Sequence, residues 1–238
     1  MEVKLLTYTP NPDIACAAAA HTTWKKEAPS QTFEKMSEAD ARKFLKRVMG
    51  LGHLSVIEHA SFTFSISGVS RACTHQLVRH RVASYTQQSQ RYVKFEENEI
   101  ECVVPPTIKG EKREKFMETM KMLAKSYKEL LDAGVPAEDA RYLLPNAATT
   151  QIFVTMNARE LIHFFGLRCC TRAQWEIRDM SNRMLAEVRK VAPTIFEGAG
   201  PNCVLLGYCP EGKLSCGLYP TKEQVLSAAE KAGLKGKI

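Results

Sequence analysis

The sequence lacks the features of a membrane or secreted protein. None of its apolar runs approaches the roughly 20 residues that a membrane-spanning helix needs. The opening Met1-Glu2-Val3-Lys4 does not have the layout of a signal peptide. Eight cysteines among 238 residues are far below the density of a disulfide-stapled scaffold, so we expect reduced thiols. We therefore predict a cytoplasmic protein that contacts no membrane.

The glycine-rich signatures of nucleotide-binding folds are also missing. A dinucleotide fingerprint that starts at Gly50 would need glycine where Ser55 stands, and one that starts at Gly198 would need glycine where Cys203 stands. The chain contains no Walker A sequence. Side chains, rather than a glycine-rich loop, must therefore hold any nucleotide.

Metal-ligand spacings are absent as well. Cys203, Cys209 and Cys216 lie six and seven residues apart and include no Cys-x-x-Cys pair. His53 and His59 match no standard ligand set. We expect no metal site.

Acidic residues are missing from one long stretch of a basic chain. Lys plus Arg exceed Asp plus Glu by 33 − 26 = 7, and no carboxylate lies between Glu58 and Glu96. The cations of that stretch are Arg71, Arg79, Arg81, Arg91 and Lys94. Neighbouring cations without acidic partners are stable in water or against an anion, and the interleaved Ser, Thr and Gln side chains suit a nucleotide. We expect a small phosphorylated ligand. The alternative is a basic module that binds single-stranded nucleic acid, for which Tyr85 and Tyr92 offer few stacking platforms.

Periodicity and capping signals predict a mixed fold. We expect strands at residues 2–8, 61–67 and 150–156 and just before Pro105, and helices at about 37–50, 70–78, 116–130, 158–165, 172–191 and from Thr221 to near Gly233. Residues 79–91 are predicted as a loop. Clustered strands between long helices favour an α+β fold, with a central, mostly antiparallel sheet flanked by long helices in a single domain over residues 1–238.

The basic stretch carries a motif of fixed spacing. Arg79, His80, Arg81, Ser84, Ser89 and Arg91 match the signature of the flavin-dependent thymidylate synthases without a gap, and the sequence resembles that family over residues 50–180. Residues 52–59, 157–165 and 167–178 are similar to the family's flavin and substrate segments. Gln87 stands where many members carry Glu, and Gln90 where many carry Gly.

The resemblance implies a reaction and its participants. In this family dUMP is methylated to dTMP, with methylene-tetrahydrofolate as carbon donor and FAD reduced by NADPH, in a homotetramer whose active sites lie between subunits. The residues implied for FAD are Ser55, Glu58, Arg79, His80, Arg81, Gln87, Asn157, Arg159 and His163. Those implied for dUMP are Gln76, Arg79, Gln87, Gln88, Ser89, Gln90, Arg91, Arg141 and Arg168. No nucleic-acid partner is expected.

The resemblance also names the catalytic group. It places Arg168 against the ionised uracil ring, where a fixed guanidinium stabilises developing negative charge. We therefore predict that the nucleophile is none of Cys73, Cys169 and Cys170, although the last two follow Arg168 closely. For Ser89 we expect a positioning role, because no general base is placed beside it in the sequence.

Overall fold

The computed structural model describes residues 1–95 and 99–232. In these residues the strands are β1 (Glu2–Tyr8), β2 (Ser61–Ser70), β3 (Ala83–Gln87) and β4 (Thr149–Asn157). The α-helices are α1 (Pro12–His21), α2 (Pro29–Lys35), α3 (Glu38–Gly50), α4 (Arg71–Leu77), α5 (Glu111–Asp132), α6 (Ala137–Ala140), α7 (Ala158–Arg168), α8 (Trp175–Val191), α9 (Asn202–Leu206) and α10 (Lys222–Lys231). Short 3-10 helices lie at Leu54–His59, Arg141–Leu143 and Gly212–Leu214. Among the described helices, none combines the length and the apolar character that crossing a bilayer requires.

The strands form one sheet in the order β1-β2-β4-β3. The central strands β2 and β4 run antiparallel. Where β2 begins and β4 ends, Ala158 N–H donates to Ala60 O. Where β2 ends and β4 begins, Arg71 N–H donates to Ala148 O. The expected α+β fold with an antiparallel sheet and long helices is confirmed.

The chain groups into two compact units, and neither is continuous in sequence. The first comprises Met1–Lys4 and Phe64–Thr155, and the second comprises Leu5–Thr63 and the chain from Met156 onward. The prediction of one domain over residues 1–238 stays a prediction.

The core of the first unit lies on one face of α5. Met120, Ala124 and Tyr127 are buried there, at three- and four-residue spacing along the helix. Ala124 packs with Ile100 and Ala148. The long charged face of α5 stays in solvent, as its Lys and Glu content indicates.

The core of the second unit is aromatic. The ring of Phe196 lies 5.4 Å from that of Phe62 and 6.0 Å from that of Phe165, both in edge-on geometry. Met180 and Met184 on α8 are fully buried, so this helix turns an apolar stripe toward the core. These contacts make α7 and α8 a rigid support for the polar residues that α7 carries.

The structure corrects three secondary-structure expectations. Residues 83–87 form β3 rather than a loop, because they pair at the sheet edge without burying an apolar face. Helices α1 and α2 are unpredicted; α1 starts after Asn11, which has a φ of 47° and offers no side-chain cap. The strand expected before Pro105 is reduced to a single bridge between Cys102 and Ala148.

The capping signals proved accurate. Ser37 Oγ accepts a hydrogen bond from Asp40 N–H at the start of α3, and Thr221 forms a full capping box with Gln224 at the start of α10. The expected end of that last helix near Gly233 lies outside the described residues.

Candidate active site

The Arg-His-Arg motif forms the turn between α4 and β3 in the first unit. His80 is buried, whereas Arg79 and Arg81 on either side of it are exposed. The hydroxyl oxygen of Tyr85 lies 2.9 Å from the carbonyl oxygen of Leu77 and 2.8 Å from that of His80. The turn therefore holds its backbone in place while it presents two guanidinium groups to solvent.

Gln87 ends β3 in a fixed orientation. Its side-chain Nε2 donates to Thr74 Oγ1 at 2.9 Å and to Thr150 Oγ1 at 3.3 Å. A carboxylate at this position would accept hydrogen bonds instead of donating them. The hydrogen bonds to the two threonines therefore depend on the amide of the glutamine.

The residues after β3 form a tight turn that is half-buried. Gln88 N–H continues the sheet pairing by donating to Gln151 O at 2.9 Å. Ser89 Oγ accepts a hydrogen bond from Arg91 N–H at 3.2 Å, and Ser89 O accepts one from Val93 N–H at 3.0 Å. Ser89 thus shapes the turn that carries Arg91, which supports a positioning role for it.

Two predicted substrate arginines meet at one acidic residue. Arg91 donates from both Nε and Nη2 to Glu138 Oε2 at 2.8 Å, and Arg141 Nε donates to the Glu138 carbonyl oxygen at 2.9 Å. Burial, and then the nearby charge of Arg141, lower the pKa of Arg71. Arg91 therefore pairs with the Glu138 carboxylate, Arg141 bonds to the backbone carbonyl of the same residue, and the charge of Arg141 acts on Arg71.

Arg71 and Glu138 were missed as site residues by the sequence analysis. Arg71 was counted among the cations of the acid-free stretch but received no role. Its backbone N–H bonds to Ala148 O at 3.1 Å, so the end of β2 places it. The lack of acidic residues around Arg71 in the sequence could have pointed to a ligand-binding role for it. No sequence feature pointed to Glu138, which is 47 residues from its partner Arg91.

The predicted flavin residues of the second unit lie on one face of α7 and on the 3-10 helix Leu54–His59. Asn157 is the N-cap of α7, and its Oδ1 accepts a hydrogen bond from Glu160 N–H at 2.9 Å. Arg159 and His163 follow on the exposed face, one turn apart. Arg159 Nη1 forms an ion pair with Glu58, which is exposed on the 3-10 helix, as Ser55 is. This polar face offers both hydrogen-bond donors and acceptors to a ligand.

Glu160 is the buried neighbour of this polar face. It is 9% exposed, and burial raises the pKa of its carboxyl, an effect that the nearby His163 opposes. Because its backbone N–H bonds to Asn157, the same residue also fixes the start of α7.

Arg168 ends α7 and is half-buried in the wall of a pocket of about 210 Å³. Arg172 and Cys170 line the same pocket. Cys169 is buried, its Sγ lies 3.1 Å from Ser181 Oγ, and burial raises the pKa of its thiol. Cys73 in the first unit is fully buried. Neither of these two thiols is exposed as a nucleophile would be.

Comparisons with known proteins give a consistent family. Residues 4–194 match the family model described as Thymidylate synthase complementing protein. A Flavin-dependent thymidylate synthase from Geobacter sulfurreducens is 56% identical over 91% of this chain and 94% of its own length. This chain belongs to the flavin-dependent thymidylate synthase family. A second flavin-dependent thymidylate synthase, from Pyrococcus furiosus, is 49% identical over 90% of this chain and 91% of its own.

A solved structure supports the fold. The UMP/dUMP methylase PolB from Streptomyces cacaoi, bound with 5-Br dUMP, superposes with a TM-score of 0.72 and 24% identity. The match covers 82% of this chain and 93% of that chain. At this identity the likeness concerns the fold alone.

Membership of the flavin-dependent thymidylate synthase family confirms the resemblance based on the Arg-His-Arg signature. The alternative of a module that binds single-stranded nucleic acid finds no support in the comparisons. The roles assigned to individual residues stay predictions.

Proposed function

We propose that this flavin-dependent thymidylate synthase methylates dUMP to dTMP, with FAD as its flavin, methylene-tetrahydrofolate as carbon donor and NADPH as reductant. Family membership supports the flavin-dependent reaction. The observation that carries the substrate assignment is the arginine cluster of the first unit, in which Arg91 and Arg141 both contact Glu138 and the charge of Arg141 acts on Arg71.

The arginine cluster suits the phosphate of a nucleotide monophosphate. Arg91 already holds a carboxylate oxygen through two N–H groups, and the same planar fork grips phosphate oxygens. The substrate phosphate would compete with Glu138 for this fork, and Arg141 lies beside the same residue. Gln87, fixed by its two threonine partners, and the half-buried Gln88 and Gln90 would contact the sugar and base.

We assign the activation of the pyrimidine to Arg168. Its guanidinium would stand against the ring oxygens and stabilise the charge that develops as the ring ionises and C5 becomes nucleophilic. Half-burial in a pocket wall restricts this side chain and lowers the local dielectric, and both effects strengthen such an interaction. Burial of Cys73 and Cys169 supports the prediction that a thiolate does not perform this step.

The residues proposed to hold FAD fit a ligand with two phosphates and many polar atoms. In the first unit Arg79 and Arg81 are exposed cations on a fixed turn. In the second, Asn157, Arg159 and His163 present amide, guanidinium and imidazole groups on one polar face. Reduced flavin, when bound, supplies the hydride of the reaction. The side chains bind and orient it.

The proposal includes an assembly and a location. We propose a homotetramer with active sites between subunits in the cytoplasm. Exposed apolar side chains are compatible with a subunit interface, among them Leu205, Leu206, Leu214 and Leu218. A monomer in light scattering that retained turnover would contradict the assembly.

The reaction is tested with the purified full-length chain. We expect dTMP to form from dUMP only when methylene-tetrahydrofolate and NADPH are both supplied, and the protein to carry the visible absorbance of oxidised flavin. Chromatography of the nucleotides and a spectrum of the released cofactor are the measurements. Released FMN in place of FAD would overturn the cofactor assignment, and turnover without the folate would overturn the carbon donor.

A further inference from the structure

The segment from Pro201 to Ala232 buries almost nothing. Between Pro201 and Ala232 the only buried residue is Cys209, which is 6% exposed. The helices α9 and α10 contain no buried side chain. A segment that buries so little apolar surface cannot offset its loss of conformational entropy by hydrophobic contacts, so another interaction must order it.

Four cysteines line one pocket, three from this segment and one from the turn after α7. Cys170, Cys203, Cys209 and Cys216 all line the pocket of about 210 Å³ next to Arg168. Cys203 interacts electrostatically with each of the other three, and all four are free thiols. Cys203, Cys209 and Cys216 lack a recognisable metal spacing, and only the fold adds Cys170, which lies 203 − 170 = 33 residues upstream of Cys203.

Backbone geometry holds the cysteines at this pocket. The Cβ of an alanine at position 166 would lie 2.1 Å from Asn202 Oδ1, so the glycine lets the start of α9, with Cys203, approach α7 closely. Cys209 N–H donates to Pro220 O at 2.7 Å, which ties the second thiol to the base of α10. The turn after α7 is closed by a hydrogen bond from Ala173 N–H to Cys170 O at 3.0 Å.

Hydrogen bonds favour the thiolate of one of the four cysteines. The backbone N–H of Leu218 and then the Thr171 hydroxyl lower the pKa of Cys216 by hydrogen bonding to its sulfur. Gly217 permits this turn with a φ of 83°. Arg168 and Arg172 line the pocket, and their charge would offset the net negative charge of four thiolates around a divalent ion. Burial and the neighbouring thiols raise the pKa of Cys203 instead.

We propose that Cys170, Cys203, Cys209 and Cys216 bind one zinc ion as a structural tetrathiolate centre that ties residues 201–221 to the turn after α7. Four sulfur ligands suit Zn²⁺, which takes them in a closed tetrahedral site. Binding exchanges four S–H protons, released to solvent, for four Zn–S bonds of about 2.3 Å, which draws the side chains from the pocket wall toward one point. This inference is independent of the proposed reaction, since it assigns the ion no part in chemistry.

Metal analysis of the full-length chain tests the proposal. After growth with zinc, reduction and desalting, we expect about one zinc per chain by mass spectrometry of the metal, as the closed four-ligand site requires. Serine at any of the four positions should lower zinc affinity at least about tenfold in competition with a chromophoric chelator. Cys102→Ser is the matched control, because Cys102 is a half-buried thiol of the first unit, and it should keep wild-type zinc. Chains without zinc, or iron with acid-labile sulfide in its place, would overturn the assignment.

A second measurement uses the wild-type chain, so it does not depend on the folding of variants. Cys216 is exposed, and alkylation followed by peptide mass spectrometry should find it protected in the zinc-loaded protein and reactive after chelation. Chelation should also speed hydrogen exchange in residues 201–221 and leave α5 unchanged. Equal alkylation of Cys216 with and without chelator, or disulfides among these cysteines under reducing conditions, would contradict the site.

Discussion

The two units use arginine differently. In the first unit Arg91 pairs with the Glu138 carboxylate, Arg141 bonds to the Glu138 carbonyl oxygen, and Arg71 is near the charge of Arg141, so these cations outnumber the one acidic partner. In the second unit Arg159 pairs with Glu58, and Arg183 pairs with Asp179 at 3.0 Å. In a one-to-one surface pair the two charges neutralise each other. A cluster with excess positive charge is stabilised more when an anion binds to it. The excess positive charge of the first unit supports our proposal that it binds the substrate phosphate. In the second unit Arg168 is half-buried in a pocket wall, for which we propose a role in activating the pyrimidine.

The largest expected effect is at Arg168. Replacing it with Ala should lower kcat by about a hundred- to a thousandfold, or about 3 to 4 kcal/mol, because a preorganised charge is lost where negative charge develops. Lys should recover little of this, since it lacks the planar fork. The measurement is turnover of dUMP at saturating NADPH and folate, with Arg183→Ala as a control for a paired surface arginine.

The cysteine variants sharpen this test. Cys73→Ala and Cys169→Ala should keep turnover while flavin stays bound. If either variant lost all turnover with flavin in place, and Arg168→Ala retained near-normal rates, the arginine mechanism would have to be abandoned.

The next effect concerns flavin. The double variant Arg79→Ala with Arg81→Ala should purify without flavin, because exposed arginines on a fixed turn contribute to phosphate binding. Its unfolding free energy, compared with that of the deflavinated wild type, should change by less than about 1 kcal/mol. The ratio of flavin to protein absorbance and chemical denaturation are the measurements.

A matched control separates this flavin effect from net charge. Lys112→Ala with Arg113→Ala removes the same charge from an exposed turn of α5 and should keep its flavin. If the Arg79 and Arg81 double variant purified with full flavin, the assignment of these two residues to FAD binding would be wrong.

A smaller effect is expected in the arginine cluster. Arg91→Ala should raise KM for dUMP about ten- to a hundredfold, since hydrogen bonds to a charged group contribute about 1.5 to 3 kcal/mol, and should change kcat less. Arg71→Ala should act in the same direction. The measurement is steady-state kinetics with varied dUMP. An unchanged KM in both variants would show that the arginine cluster of the first unit does not bind the substrate phosphate.

The smallest expected effect is the contribution of the surface ion pair Arg159–Glu58 in the second unit to stability. A double-mutant cycle on Glu58→Ala and Arg159→Ala in deflavinated protein should give a coupling below about 1 kcal/mol, because both side chains are exposed. Denaturant unfolding measures it. A coupling above about 2 kcal/mol would mean that this pair resembles a buried ion pair rather than a surface one.

Local signals in the sequence predicted much of the fold. Ser37 and Thr221 cap their helices as expected, and Phe62, Phe64 and Ile66 alternate into the core from β2. Such features depend on neighbours a few residues away, so periodicity and capping chemistry reveal them. Strand β3 had no such signal, because a polar edge strand forms through pairing with β4 and not through an apolar face.

The sequence alone determined the family, the α+β class and the acid-free stretch of arginines. A motif of fixed spacing and short-range periodicity both depend only on residues that are close together in the sequence. Only the tertiary structure decided which distant groups meet. It brought Glu138 to Arg91 across 47 residues, and it placed Cys170 at the pocket of Cys203, Cys209 and Cys216. Contacts of this kind depend on how helices and loops pack, so they cannot be predicted from the spacing of residues along the chain.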